Sequence, residues 1–165
     1  MTATADAGPG PTDARGEIRP FDPADETATA EVWHRSGRAA YPYLPTWQAF
    51  PLDDARDVFR DVIMQECRLW VGTRDGEIVA FLGMEGSYLD RLYVDPAEWR
   101  RGWGGRFVVL AKDVSPDGIE LYTHQENYAA RALYERHGFI AVEFGISPPP
   151  ESAPDVKYRW RPRPS

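Results

Sequence analysis

The chain has 165 residues, 42% of them hydrophobic and 13% aromatic, enough for one compact core and too apolar for a wholly disordered chain. Its 26 acidic side chains outnumber 19 basic ones, and a net charge of −7 spread along the sequence speaks against a nucleic-acid surface and against a polybasic membrane anchor. One cysteine, Cys67, and three scattered histidines, His34, His124 and His137, make neither an internal disulfide nor a zinc set, so no metal is expected.

The first 16 residues hold almost nothing that could be buried and read as a flexible tail. A single domain then spans 17–161, with 162–165 as a C-terminal tail; prolines crowd the two ends and thin out to Pro96 and Pro116 between Leu52 and Ser147. Glu17 to Phe21 is a short strand, and Pro23-Ala24-Asp25 offers an N-cap for an Ala-rich helix to about Arg38. The prolines of Tyr41-Pro42-Tyr43-Leu44-Pro45 interrupt helix and leave an aromatic loop, after which helical spacing returns from Leu52 to Cys67. Leu69 to Gly72 and Ile78 to Leu82, joined by a turn at Asp75-Gly76, form a hairpin, and Tyr88 to Val94 adds a third antiparallel strand that Asp95-Pro96 stops. Strands and helices alternate from there: a Gly-rich turn, a helix from roughly Arg106 to Asp113, a strand Ile119 to Thr123 and a helix Asn127 to His137. That order implies a parallel strand pair with a right-handed crossover. Gly138 ends the second helix, Pro148 to Pro150 is a stiff loop, and Ile140 to Phe144 and Val156 to Trp160 close the sheet, with the last strand a candidate exposed or dimer-paired edge. The fold class is α/β, a mixed sheet of about seven strands flanked by helices.

Two segments carry chemistry. In the first, the strand ending at Val94 leads through Asp95-Pro96 into Arg100-Arg101-Gly102-Trp103-Gly104-Gly105-Arg106, which opens a helix. Unpaired N–H groups at the positive end of a helix dipole, with arginines beside them, form an anion site suited to phosphate. A Gly-rich surface turn with solvated arginines has the same composition. The spacing is neither a Walker loop nor G-x-G-x-x-G. In the second segment, Ala130, Leu133, Tyr134 and His137 share a helix face, which also suits Tyr134 as a plain core aromatic.

Together these segments resemble the GCN5-related N-acetyltransferase (GNAT) superfamily. Val94, Pro96, Gly102 and Gly104 match its first motif, and Asn127, Ala130, Tyr134, Gly138 and Phe139 match its second in register; one departure is Trp99 at a position usually Gln or Arg. The resemblance implies a splayed parallel strand pair ending near Val94 and Thr123 that forms a cleft for acetyl-CoA as co-substrate. It further implies that backbone groups of Leu92, Tyr93 and Val94 hold the pantetheine and thioester, with the Val94 N–H polarising the thioester carbonyl. Arg100, Arg101, Gly102, Trp103, Gly104, Gly105 and Arg106 cradle the pyrophosphate, Asn127 and Arg131 contact the cofactor, and Tyr134 protonates the departing thiolate. Glu85, Asp90 and His124 are open candidates for the base that deprotonates the amine. Each also has a plainer reading, as an exposed carboxylate, a partner of Arg91 and a packed histidine. Tyr41, Tyr43 and Trp47, with His124, form either an acceptor wall or a plug at the sheet edge.

The function expected on this resemblance is acetyl transfer to a primary amine by direct attack in a ternary complex, with a small-molecule acceptor. A protein Lys or N-terminal acetyltransferase and a non-catalytic CoA-binding module are the alternatives. A monomer or homodimer is expected. With no nucleic-acid or membrane partner, and no segment reading as a signal peptide or membrane helix, the expected place is the cytoplasm. Arg outnumbers Lys 17 to 2, a usage that fits a bacterial source.

Overall fold

The structure, a computed structural model, describes residues 16–164; residues 1–15 of the expected N-terminal tail and Ser165 lie outside the described residues. Gly16, placed in that tail from the sequence, is buried, and its carbonyl accepts a bond from Arg106 Nη2 at 3.1 Å.

Strand β1 (Glu17–Pro20) leads into one 3-10 turn, Pro23–Asp25, and then α1 (Glu26–Ala40). The capping works one step earlier than the sequence predicts. Asp22 accepts from Ala24 N–H, Asp25 accepts from Asp22 N–H, and two parallel bonds from Arg19, at 2.7 and 2.9 Å, complete the Asp25 carboxylate. The aromatic loop contains a single helical turn, α2 (Pro45–Gln48). Helix α3 starts at Leu52–Val58 and runs on through a π segment, Phe59–Ile63, to Met64–Glu66. The sheet strands β2 (Arg68–Arg74), β3 (Glu77–Glu85) and β4 (Tyr88–Val94) follow, then α4 (Trp103–Val114), β5 (Ile119–His124), α5 (Tyr128–Arg136), β6 (Ile140–Ile146) and β7 (Pro154–Trp160). Helix α4 begins at Trp103, three residues before the position read from the sequence, because Gly102 takes a left-handed φ of 85° and lets the strand-to-helix turn close on itself.

The seven strands lie in the order β1-β2-β3-β4-β5-β7-β6, and among them only β4 and β5 pair in parallel. Strand β7 is therefore interior, between β5 and β6, and the edge is β6, contrary to the sequence expectation. Alternation along the central strands sorts side chains to two faces. Leu69, Val71, Phe81 and Tyr93 pack with Trp33, Trp47 and Phe59 of the α1–α3 layer. Leu82, Leu92, Val94, Leu121 and Val156 pack with Phe107, Val108, Leu133 and Tyr134 of the α4–α5 layer.

Two features open the sheet. Pairing of β4 with β3 passes from Leu89↔Met84 to Arg91↔Gly83, so Asp90 is an extra residue, a bulge that bends the strand. Beside it, β4 and β5 are in register at a single pair, Tyr88↔Glu120, near their N-terminal ends. Beyond that point the strands diverge, and the gap lies between their C-terminal halves, where open α/β sheets bind ligands.

Candidate active site

On one wall of the gap, β4 presents unpaired backbone. Asp95 N–H donates to Val79 C=O at 2.7 Å, and Val94 stands opposite Ala80, so Tyr93 and Asp95 direct their backbone groups to β3. By the alternation of an antiparallel ladder, Leu92 and Val94 turn theirs toward β5, which has moved away. The Val94 carbonyl is taken by the indole N–H of Trp99 at 2.8 Å. Trp99, the departure from the family motif, thus fastens the end of β4 to the turn that follows.

That turn runs through Arg100, with φ 64°, and Gly102 into α4, and no described side chain caps the helix N-terminus. The N–H groups of Trp103, Gly104 and Gly105 are the donors a helix start leaves unpaired. Arg106 does not belong with them. Its N–H bonds Gly102 C=O at 3.2 Å, and its guanidinium lies 4.7 Å over the Trp103 ring and donates to Gly16 C=O. The Trp103 side chain is core: it is 1% exposed, and its indole donates to Glu98 at 3.1 Å. Glu98 is buried, is ion-paired to Arg74, and lies 3.7 Å from the half-exposed Arg101. The arginine-rich look of this segment is therefore partly a buried scaffold under the turn.

On the other wall, Asn127 caps α5, its Oδ1 accepting from Ala130 N–H at 3.1 Å, while its buried Nδ2 has no partner among the described residues. Arg131 is committed elsewhere, donating to Tyr158 Oη and Gln125 C=O, both at 3.1 Å. Tyr134 reaches the gap from the α5 side, packed on Phe139 and Tyr158. Burial, with Tyr93 and Tyr88 nearby, drives its hydroxyl well above the usual phenol range, so it stays protonated.

The gap opens into a cleft of about 640 Å³ on the α1 side. Tyr41, Trp47, Tyr88, Tyr93 and Tyr122 supply aromatic walls, and Asp90, Glu143, Glu151 and Asp155 supply carboxylates. Tyr43 stands behind this lining, its ring 6.1 Å from His124 and its buried hydroxyl without a partner among the described residues. Asp90 lines the cleft but is engaged: it accepts from Cys67 Sγ at 3.3 Å and pairs with Arg91 at 3.2 Å. Burial, with Asp90 beside it, pushes the Cys67 thiol up to about 12, which leaves it inert. Glu85 is exposed at the far end of β3, opposite Tyr88, and is absent from the described lining; at the hairpin tip it is remote from Val94. His124 ends β5 at the cleft, with Nε2 3.1 Å from Glu151. Sequence reasoning missed Glu151 because it lies in the Pro-rich loop before β7, which no motif covers. It also missed the role of Trp99, whose partner is a backbone atom.

The sequence model of the Acetyltransferase (GNAT) family matches residues 30–139. The peptidyl-lysine N-acetyltransferase YiaC of Escherichia coli K12 is 27% identical over 129 residues, covering 76% of this chain and 84% of that protein. The mycothiol acetyltransferase of Beutenbergia cavernae is 31% identical over 134 residues, covering 72% of this chain and 45% of that protein. The solved structure of YncA from Salmonella typhimurium with its cofactor acetyl-CoA superposes with a TM-score of 0.66 at 14% identity, over 88% of this chain and 92% of that one. With its strand–turn–helix site and a family match over more than half of its length, the chain belongs to the GNAT family of acetyltransferases.

Proposed function

We propose that the protein transfers an acetyl group from acetyl-CoA to a cationic primary amine by direct attack in a ternary complex. The observation that carries this reading is the wedge between β4 and β5. It joins outward-facing backbone of Leu92 and Val94, the open start of α4 and the protonated Tyr134 on one gap. These groups fit the donor. Leu92 backbone groups suit the amides of the pantetheine arm, and the unpaired Nδ2 of Asn127 suits a carbonyl of that arm or a bridging water. The N–H groups of Trp103, Gly104 and Gly105 suit a pyrophosphate, with Arg100 and Arg101 at the turn supplying charge.

When bound, acetyl-CoA supplies an activated acetyl group. Val94 N–H then stabilises the negative charge that develops on the thioester oxygen. Tyr134 gives its proton to the departing sulfur, which a phenol held neutral by burial is equipped to do. Tyr41, Trp47 and Tyr93 hold an apolar or cationic chain, and the surrounding carboxylates favour an ammonium over a neutral or anionic acceptor.

A small-molecule amine is the first reading of the acceptor. A protein lysine, whose side chain is also a cationic amine, is the second, supported by the similarity to YiaC. Thermal unfolding tests the donor site: acetyl-CoA and CoA at 100 times their dissociation constants add about 2.7 kcal/mol of stability and ATP adds none. An acetylation assay across polyamines, aromatic amines and lysine peptides then assigns the acceptor. Stabilisation by ATP equal to that by CoA, or no stabilisation by any of the three, contradicts the reading.

A further inference from the structure

Helix α1 packs on β3 and β4, and the apolar layer it shares with α2 and α3 takes no apolar side chain from β5, β6 or β7. Those three strands therefore present open sheet on the acceptor side. Leu121, Val156 and Tyr158 point into the α4–α5 layer, so alternation puts Glu120, Tyr122, Asp155, Lys157 and Arg159 on the open face. Strand pairing orders that face from the cleft outward. Asp155 stands opposite Gly145 at the cleft end, Lys157 lies next, and Arg159 stands last, opposite the exposed Ile140. Charge changes sign along it. Asp155, Glu143 and Glu151 line the cleft, whereas at the outer end one carboxylate, Glu120, is shared by Lys157 at 3.0 Å, Arg159 at 3.0 Å and Arg161 at 3.7 Å. The two arginine side chains are 42% and 53% exposed, so a surplus of positive charge faces solvent in a chain of net charge −7. The next carboxylate across the sheet, Glu85, lies beyond Tyr88 on the side away from Arg159. Asp155 and Arg159 are four residues apart on β7, roughly 13 Å at the rise of a strand.

We propose that Lys157, Arg159 and Arg161 form a docking ledge for an acidic side chain of the acceptor, which is a lysine in an extended polypeptide segment with a carboxylate about four residues away from it. The proposal rests on the acetyl-transfer reading above and takes the protein lysine as its acceptor. The segment lies over the open face of β5 and β7, continuous with the cleft. Its lysine ammonium meets the carboxylates at the cleft end, and its own carboxylate meets the cations at the outer end. The exposed rings and methyls of Tyr122 and Ile140 take the apolar parts between and beside them. A small monoamine is too short to touch the ledge, and a polyamine brings a like charge to it.

The test is steady-state acetylation by the full chain of capped peptides that each hold one lysine. A peptide with glutamate four residues to either side of the lysine should show a KM about 5-fold below that of its glutamine counterpart at equal kcat, and high salt should erase the difference. Moving the glutamates next to the lysine should lose the gain, and arginine in their place should raise KM. The double variant Lys157→Gln with Arg159→Gln should make the glutamate and glutamine peptides equal while acetyl-CoA affinity and kcat hold. Arg159→Glu should turn the preference toward the arginine peptide, a gain that a merely destabilised protein cannot give. Equal KM values for the glutamate and glutamine peptides with the unaltered protein, or a preference that survives the ledge variants, overturns the ledge. Turnover of small amines with none of any lysine peptide overturns the acceptor assignment and leaves the acetyl-transfer reading standing. Absence of turnover with every amine and peptide refutes both together.

Discussion

Tyr134 enters the gap from the α5 side, whereas Tyr41, Trp47 and His124 stand on the α1 side, so in the proposed reaction the leaving group and the acceptor would be served from opposite faces of the sheet. Tyr134→Phe isolates the proton, because the ring can keep its packing on Phe139 and Tyr158 while the hydroxyl is lost. The expected result is a kcat about 100-fold lower with acetyl-CoA affinity unchanged, read by steady-state kinetics beside titration calorimetry. An unchanged kcat would remove Tyr134 from the chemistry. The buried place of Tyr134 on α5 was legible from helix spacing, whereas the acid role proposed for it came from the family motif alone. Arg106 and Arg131 were not legible in the same way: composition shows a positive charge, but not that Gly16, Trp103, Tyr158 and Gln125 have already taken it.

At the scale of elements, helix α1 carries a glycine, Gly37, whose added Cβ would run into the ring of Trp47. Helix propensity alone favours Ala there by about 1 kcal/mol. Overpacking against an aromatic that is 6% exposed outweighs it, and Gly37→Ala should destabilise the fold by about 1–3 kcal/mol in denaturant titration and displace the cleft wall. A gain in stability would show that Trp47 yields easily. The capping box makes a separate prediction in pH. The bonds from Arg19 and from Asp22 N–H lower the folded pKa of Asp25, so its stabilisation is complete above the unfolded carboxylate value, near pH 4, and fades as pH falls through the folded value. Asp25→Ala should therefore cost about 1 kcal/mol at pH 7 and less at pH 3, by chemical unfolding. An equal loss at both pH values would contradict it. Helix and strand identities were legible from periodicity and turn residues. The β4 bulge at Asp90 was not, since a bulge is fixed by pairing with another strand rather than by its own residues.

Over the whole molecule, the sheet opens between β4 and β5, and four carboxylates, Asp90, Glu143, Glu151 and Asp155, line the cleft at that opening in a chain of net charge −7. The mixed sheet and the parallel pair followed from the order of elements. The acceptor side was less accessible to sequence reading, because α1, the loop around Tyr41, the end of β5 and the loop around Glu151 converge only in three dimensions. The central claim is that the edge of β4 left bare by β5 receives the donor. Backbone amide exchange measured residue by residue, with and without saturating acetyl-CoA, tests it most directly. Val94, Trp103, Gly104 and Gly105 should gain protection, whereas Asp95, already bonded to Val79, should change little. Binding that leaves Val94 and the start of α4 unprotected would place the donor elsewhere and contradict the account.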